Sequence, residues 1–344
     1  MSRNKRLTIE GVAKKAGVSR ATVDRILNGR GGVREETVRK VRDVLERYDY
    51  SASTLDAVSR PRTRKIEAIL SEGSNPYFIE IRQAISRAGA RIRAVSLRER
   101  LFDPYAPDTL VERLRSVEAG TDVVIMIGVD NPEVAAQIDR LAARGVRVVT
   151  IISDVSLTDR NHHVGQNDFL AGKTAARLMV GAVGGRSGAV AILIGHLQFR
   201  HLLDRRAGFE QSIGADSRDL RVVHVPPYGS DASKFAQVFE DSVRGIEDLA
   251  GVYLCGGGQP EVFEAVRSID RDVAFVAHEV TRTTRAGLRD GSLGVLVAND
   301  MEEVARRAIE VALADAPDSV TRCGIRIHVL ENLPPEAEGA SLRS

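Results

Sequence analysis

Short apolar runs recur along most of the chain, at 66–70, 92–97, 123–127, 146–152, 190–194, 222–225, 252–254, 273–277 and 295–298. Amphipathic stretches lie between them, for example 76–88, 132–144, 168–183, 231–248 and 300–314. A strand that is apolar on both faces needs cover on both sides, and an intervening helix returns the chain to start the next strand in the same direction. The alternation therefore predicts an α/β fold, with doubly wound parallel sheets and helices on both faces. About ten strands are many for one twisted sheet, so two lobes are expected.

Open parallel sheets hold their ligands outside the carboxyl ends of the strands, which directs attention to the loops after each run. Those loops supply Asn75, Tyr77 and Phe78, then Asp154, then Asn167 and Asp168 ahead of a helix. Gly195-His196 with Arg205 follow, then Gln259 in a glycine-rich loop, Glu279 after His278, and Asp300 after Asn299. A sugar or polyol offers one apolar face and many hydroxyls. It calls for an aromatic platform with Asp, Asn and Arg partners that stay unpaired if the wrong ligand enters. Asn75, Tyr77, Phe78, Asp154, Asn167, Asp168, Arg205, Gln259, Glu279 and Asp300 are thus the candidate ligand-binding residues. Each also fits a structural role: Asn167, Asp154 and Asp300 as helix caps, Tyr77 or Phe78 as core, Arg205 as a salt bridge.

The first 65 residues are different. They hold 17 Lys/Arg against 8 Asp/Glu, a charge of +9, whereas the remainder carries −7. A basic head on a mildly acidic body suggests that the head alone meets a polyanion. Thr8 can cap a helix in which Ile9, Val12, Ala13 and Ala16 share one face, and Gly17 can end it. Ser19 can cap a second helix with Val23, Ile26 and Leu27 inward. A loop at 28–32 leads to a third helix, about 35 to 47, that buries Val38, Val41, Val44 and Leu45. Two helices joined by so short a turn make a helix-turn-helix, whose second helix can enter the major groove of DNA. Its outward residues are Arg20, Ala21, Asp24 and Arg25. The planar fork of arginine matches guanine O6 and N7, so Arg20 and Arg25 are candidate base readers. Thr22, Asn28 and the Ser19 backbone suit phosphate positioning, and Thr8 is a further candidate DNA contact.

The segment from Thr8 to Asn28 resembles the amino-terminal signature of LacI/GalR-type transcription regulators, through Val12, Ala13, Ala16, Gly17, Val18, Ser19, Thr22, Val23, Arg25 and Asn28. The resemblance implies a homodimer on a near-palindromic double-stranded operator, and a second domain that senses a small molecule, most often to relieve repression. It places Asp24 where most members have serine against a phosphate; Asp24 can accept from cytosine N4 or brace Arg25 within the helix, and the brace is the favoured role. It also implies a hinge in which an apolar side chain wedges into the minor groove. Here Ala52-Ser53 stands where the family has Pro-Asn. Counting forward from Tyr50 puts the wedge at Ser59, and counting back from Ile66 puts it at Val58. Leu55 is the alternative. Arg60, Arg62, Arg64 and Lys65 add counterion release. The body resembles, more loosely, the two-lobed periplasmic sugar-binding fold, which implies ligand contacts at Arg205 and near Glu279.

The expected organisation is a helix-turn-helix domain at 1–50, a hinge at 51–65, a ligand-binding and dimerisation domain at 66–335, and a tail at 336–344. Two cysteines, Cys255 and Cys323, are too few for a disulfide framework and fit a reducing, cytoplasmic setting. No apolar run reaches the ~20 residues of a membrane helix, and no apolar leader opens the chain. No cofactor is expected. The segment 171–174 imitates the end of a phosphate loop, but the glycine it needs is Asn167. His162 and His163 read as a loop pair without a third metal ligand. The alternatives are a solute-binding protein without a DNA role, and an α/β enzyme fused to a DNA-binding head. No nucleophile–base signature supports the enzyme.

Overall fold

The computed structural model describes residues 7–27, 33–48, 63–73, 75–156, 158, 162–216, 219–227, 229, 235–256, 260–269, 272–314 and 319–335. The chain divides into two compact units, Met1–Arg64 with Arg93–Val95, and Lys65–Ile92 with Ser96–Ser344.

The first unit holds helices α1 (Ile9–Ala16), α2 (Arg20–Leu27) and α3 (Glu35–Arg47). Thr8 caps α1, its hydroxyl accepting from the Gly11 amide at 3.2 Å. Gly17 closes α1 in the left-handed region (φ 67°, ψ 33°), where a Cβ would be strained, and its amide returns to the Ala13 carbonyl. Val12, Ala13, Val23, Ile26, Val41 and Leu45 form the core, flanked by Val38, Val44 and Leu27. Ile9, expected on the inner face, is 36% exposed; it starts α1 beyond the edge of that core, and Leu7 packs there instead.

Among the described residues, the second unit contains two six-stranded sheets. The first comprises β1 (Arg64–Ser71), β2 (Val95–Phe102), β3 (Val123–Ile127), β4 (Arg147–Ile151), β5 (His162–Gly165) and β11 (Val320–Arg322), in the order β11-β5-β4-β3-β1-β2. The second comprises β6 (Gly188–Leu193), β7 (Leu220–His224), β8 (Leu249–Leu254), β9 (Ala274–His278), β10 (Val295–Asn299) and β12 (Ile325–His328), ordered β12-β10-β9-β8-β6-β7. The β1–β3, β3–β4, β4–β5 and β5–β11 pairs are parallel, as are β6–β7, β6–β8, β8–β9 and β9–β10. At the edge of the second sheet β12 runs antiparallel to β10.

The helices are α4 (Pro76–Ala90), α5 (Pro107–Arg115), α6 (Pro132–Ala143), α7 (Asp168–Val183), α8 (Arg200–Asp216), α9 (Phe235–Val243), α10 (Pro260–Arg267), α11 (Arg282–Asp290) and α12 (Met301–Leu313). Both α4 and α6 open with a capping asparagine, Asn75 or Asn131, and a proline whose missing amide costs nothing at that position. The chain passes between sheets three times: from β5 to α7, from β10 to α12, and from β11 to β12.

Two glycines set the tightest helix contact. A Cβ on Gly172 of α7 would collide with the Arg205 carbonyl of α8, and one on Gly208 of α8 with the Phe169 carbonyl of α7. The segment 171–174 thus lies within α7, and its glycine lets two backbones touch.

Two strand assignments change. The run at 92–97 is the start of β2, which begins at Val95 and continues through Arg98, Glu99 and Arg100; an edge strand tolerates such charges on its solvated face. His162 and His163 are not in a loop but form buried β5, with His163 Nδ1 at 3.0 Å from Thr150 Oγ1. Among the described residues no helix is long and apolar enough to cross a membrane.

Candidate functional site

In the second unit, the strand ends of the two sheets face each other across a cleft. The turn into α4 brings Asn75, Tyr77 and Phe78, and the loop after β2 brings Tyr105. From the other side come Gly195, His196, Phe199, His201 and Arg205 after β6, Leu254 and Gly256 at the end of β8, and Glu279 after β9. The walls are aromatic and touch across the gap: Tyr105 and His196 rings lie 4.3 Å apart, and Phe78 and Phe199 6.2 Å apart. Near this contact the Asp130 amide donates to the Gln198 carbonyl at 3.0 Å, and Arg200 donates to Ser156 Oγ at 2.6 Å. The cavity left inside is about 50 Å³, space for a few waters rather than a sugar ring. A ligand of that size enters only if the lobes part.

Arg205 forms the floor and is fully buried. Its Nε donates to Asp168 Oδ1 at 2.7 Å, Nη1 to the Cys255 carbonyl at 3.0 Å, and Nη2 to Glu279 Oε1 at 2.5 Å. Burial opposes its charge, but Glu279 and Asp168 outweigh that and raise its pKa. Asp168 also accepts from Gln166 Nε2 at 2.9 Å, yet burial pushes its carboxyl up to about 6. Glu279 sits at φ 69°, uncommon for any residue but glycine. Its carboxylate is held in that position by the Asn299 amide (3.1 Å) and Nδ2 (3.3 Å). Such strain persists where the surroundings over-determine it, as at ligand sites.

The histidines of the cleft are neutral at neutral pH. Burial lowers His196 to about 4, against the pull of Asp103. Burial, then Arg205, takes His201 well below its ordinary value. Among the described residues, two buried atoms on the cavity wall, Tyr77 Oη and His201 Nδ1, have no hydrogen-bond partner.

Of the residues expected from sequence, Asn75, Tyr77, Phe78, Arg205 and Glu279 line the cavity, and Asp168 stands behind Arg205. Asn75 also caps α4, accepting from the Tyr77 amide at 3.0 Å. Three others do not reach it. Asp154 accepts from Thr150 Oγ1 (2.8 Å) and the Val155 amide (2.9 Å) in its own loop. Asn167 caps α7 through the Leu170 amide (3.1 Å), and Asp300 caps α12 through the Glu303 amide (3.0 Å). Gln259 lies outside the described residues. Tyr105, Phe199 and His201 were missed, because a ring in a loop or at a helix start carries no signal of which way it faces.

Glu80 of α4 is half-buried, and burial pushes its carboxyl up to about 7, with Arg285 and Arg87 opposing and Glu279 assisting. The folded chain therefore holds a proton here that the unfolded chain releases near its ordinary 4.5. Stability should fall as pH rises through 4.5 toward 7 and level off above it. Glu80→Gln should remove that slope and add about 1–2 kcal/mol at pH 8. Melting curves at pH 5 and pH 8 test this; an unchanged slope in the variant would remove Glu80 as its source.

In the first unit, Ser19 Oγ accepts from the Thr22 amide at 3.1 Å and meets Thr22 Oγ1 at 2.8 Å, so both hydroxyls hold the start of α2. Thr8 is likewise used as a cap. Arg20, Ala21 and Arg25 are exposed, while Thr22 and Asp24 are half-buried. Arg25, Ala21, Thr22 and Ser19 border an open depression of about 390 Å³ whose far wall is Arg34 and Thr37 at the start of α3, two residues the sequence reading did not single out. Asn28, Leu55 and Val58 lie outside the described residues.

The Periplasmic binding protein domain family matches residues 66–316, and the family Bacterial regulatory proteins, lacI family, matches residues 8–53. The ribose import binding protein RbsB of Bacillus subtilis is 24% identical over 241 residues, 70% of this chain and 77% of that protein. Catabolite control protein A of Streptococcus mutans is 35% identical over 79 residues, 23% of this chain and 24% of that regulator, so the likeness spans about a quarter of its length. An ABC transporter solute binding protein from Burkholderia graminis, solved in complex with D-arabinose, shares the fold with a TM-score of 0.73 at 20% identity, covering 80% of this chain and 98% of that one. The chain belongs to the periplasmic binding protein domain family over residues 66–316, and its residues 8–53 match the family Bacterial regulatory proteins, lacI family; the two matches together support a ligand-responsive, DNA-binding regulator.

Proposed function

We propose that the chain is a cytoplasmic, non-enzymatic repressor that binds a near-palindromic operator as a homodimer and releases it when an uncharged sugar or polyol occupies the cleft. Arg20 and Arg25 read bases, Ser19, Thr22, Thr8 and Asn28 steady the phosphates, and Leu55 or Val58 supplies the hinge wedge. Tyr77, Phe78, Arg205 and Glu279, with Asn75 and Asp168 beside them, hold the effector. Lobe closure around it changes the hinge geometry, and the difference in effector affinity between open and closed forms sets the change in operator affinity.

One observation carries the effector class: the only described cation on the cavity wall, Arg205, already serves two carboxylates. With neutral histidines around it, the group of Arg205, Asp168 and Glu279 sums to −1. An anion brought there loses its water and meets no unengaged charge, which is costly. Hydroxyls, by contrast, can pair with Tyr77 Oη and His201 Nδ1 and stack on the rings. A thermal-shift screen tests this. At about 100 times its dissociation constant a neutral sugar or polyol should stabilise by about 2.7 kcal/mol. Sugar acids and sugar phosphates should give no shift. A shift with an acid and none with any neutral compound would overturn the assignment.

A second reading, solute binding without a DNA role, is favoured by the extent of the likeness to RbsB. The helix-turn-helix residues and the +9 charge of the first 65 residues weigh against it.

A further inference from the structure

Glu10, in the first turn of α1, reaches across to the first residue of α2: its Oε1 lies 3.1 Å from Arg20 Nη1, with 72% of the glutamate and 69% of the arginine side chain exposed. We propose that Glu10 is a positioning residue for Arg20 and thereby helps to set which base pair the head prefers. This rests on the reading of Arg20 as a contact to a base.

The pair does not hold the helices together. Their spacing is fixed beneath by Val12, Ala13, Val23 and Ile26, by the left-handed turn at Gly17, and by the caps at Thr8 and Ser19. An ion pair this exposed adds little to stability. What it fixes is a direction. Arginine has a long, flexible stem, and an untethered Arg20 can swing to a phosphate as readily as to a base. The positive end of the helix dipole lies at the start of α2, and its first turn holds no acid. Glu10 supplies a counter-charge from the neighbouring helix. By engaging Nη1, it leaves Nε and Nη2 as the edge that matches the paired acceptors O6 and N7 of guanine.

A carboxylate on a surface that meets phosphates works against general affinity. Tethering Arg20 and repelling phosphates predict opposite changes in two quantities once Glu10 is neutralised: discrimination falls and non-specific affinity rises. A purely structural residue would move both the same way, or move the melting temperature.

The experiment uses the full chain with Glu10→Gln and Arg20→Ala beside the parent. Preferred sites are selected from a random duplex pool, and affinities are then measured on a selected and a scrambled duplex over a salt series. Glu10→Gln should melt with the parent, lose roughly fivefold or more of the preference at the Arg20-dependent base pair, and bind the scrambled duplex more tightly. Its salt dependence should steepen by about one unit as Arg20 turns to phosphate. If Arg20→Ala erases a base preference that Glu10→Gln retains, the role of Glu10 is overturned and the reading of Arg20 stands. If Arg20→Ala alters no base preference, Arg20 is not a base reader, and the inference falls with that reading.

Discussion

Arg205→Ala is expected to melt roughly 10 °C below the parent chain, a loss of about 3–5 kcal/mol. The reason is what remains behind. Asp168 and Glu279 stay buried, at 7% and 1% exposure, without the guanidinium that both face. Asp168 keeps Gln166, and Glu279 keeps Asn299, but neither amide carries charge. Asp168, whose carboxyl burial already pushes up to about 6, then takes up a proton more readily than it would unfolded. A pKa raised in the folded state means that stability grows as pH falls, so the deficit should be larger at pH 8 than at pH 5. The Cys255 carbonyl also loses its donor, which adds the cost of an unsatisfied buried acceptor. Melting temperatures of the two chains across pH test this. A variant as stable as its parent would show that the three-way hold on Arg205 is not a built element of the core. A deficit that grows on acidification would remove the carboxylates as its cause.

The same triad shows how far sequence reasoning reaches. Arg205, Asp168 and Glu279 were each legible as polar residues after strands or at a helix start, because the carboxyl ends of parallel strands leave few other places for a ligand. That the three meet one another was not legible. The meeting depends on Gly172 and Gly208 letting α7 and α8 approach until their backbones touch, a property of two helix faces and not of any local pattern. Asp154, Asn167 and Asp300 look the same in sequence as the residues that line the cavity. Nothing local separates a carboxylate or amide that caps its own helix or loop from one that points across a cleft.

Strands show a parallel division. β3 is a continuous apolar run, as is β10 up to Asn299, and both are buried throughout, so period and composition agree. The edges and the strands beside them escape that logic. β2 carries three charges in a row, β5 is only four residues with two histidines, and β11 and β12 are short and half exposed. In the head, by contrast, nearly everything is local. A cap, a left-handed glycine and an i, i+3, i+4 pattern define α1, and α2 and α3 match their expected limits, because three short helices have little tertiary freedom to override propensity.

That locality makes the second large effect predictable at a single side chain. Arg25→Ala should weaken binding to a selected near-palindromic duplex by about 1–3 kcal/mol per half-site and relax discrimination at one base pair, while leaving the melting temperature in place. Arg25 projects from the exposed face of α2 beside Ala21, whose single methyl keeps that face open to an approaching groove, and the core residues Val23 and Ile26 lie on the opposite side. Ser19 and Thr22 hold the start of α2, and truncation at Arg25 leaves that cap in place. The contrast with a phosphate contact is quantitative. Loss of a phosphate contact weakens selected and scrambled duplexes alike and flattens the dependence of log K on log salt by about one unit. Loss of a bidentate contact to guanine weakens the selected duplex far more and leaves the scrambled one nearly unchanged. Affinities on the two duplexes over a salt series separate these outcomes, and uniform weakening with a flatter slope would move Arg25 from the bases to the backbone.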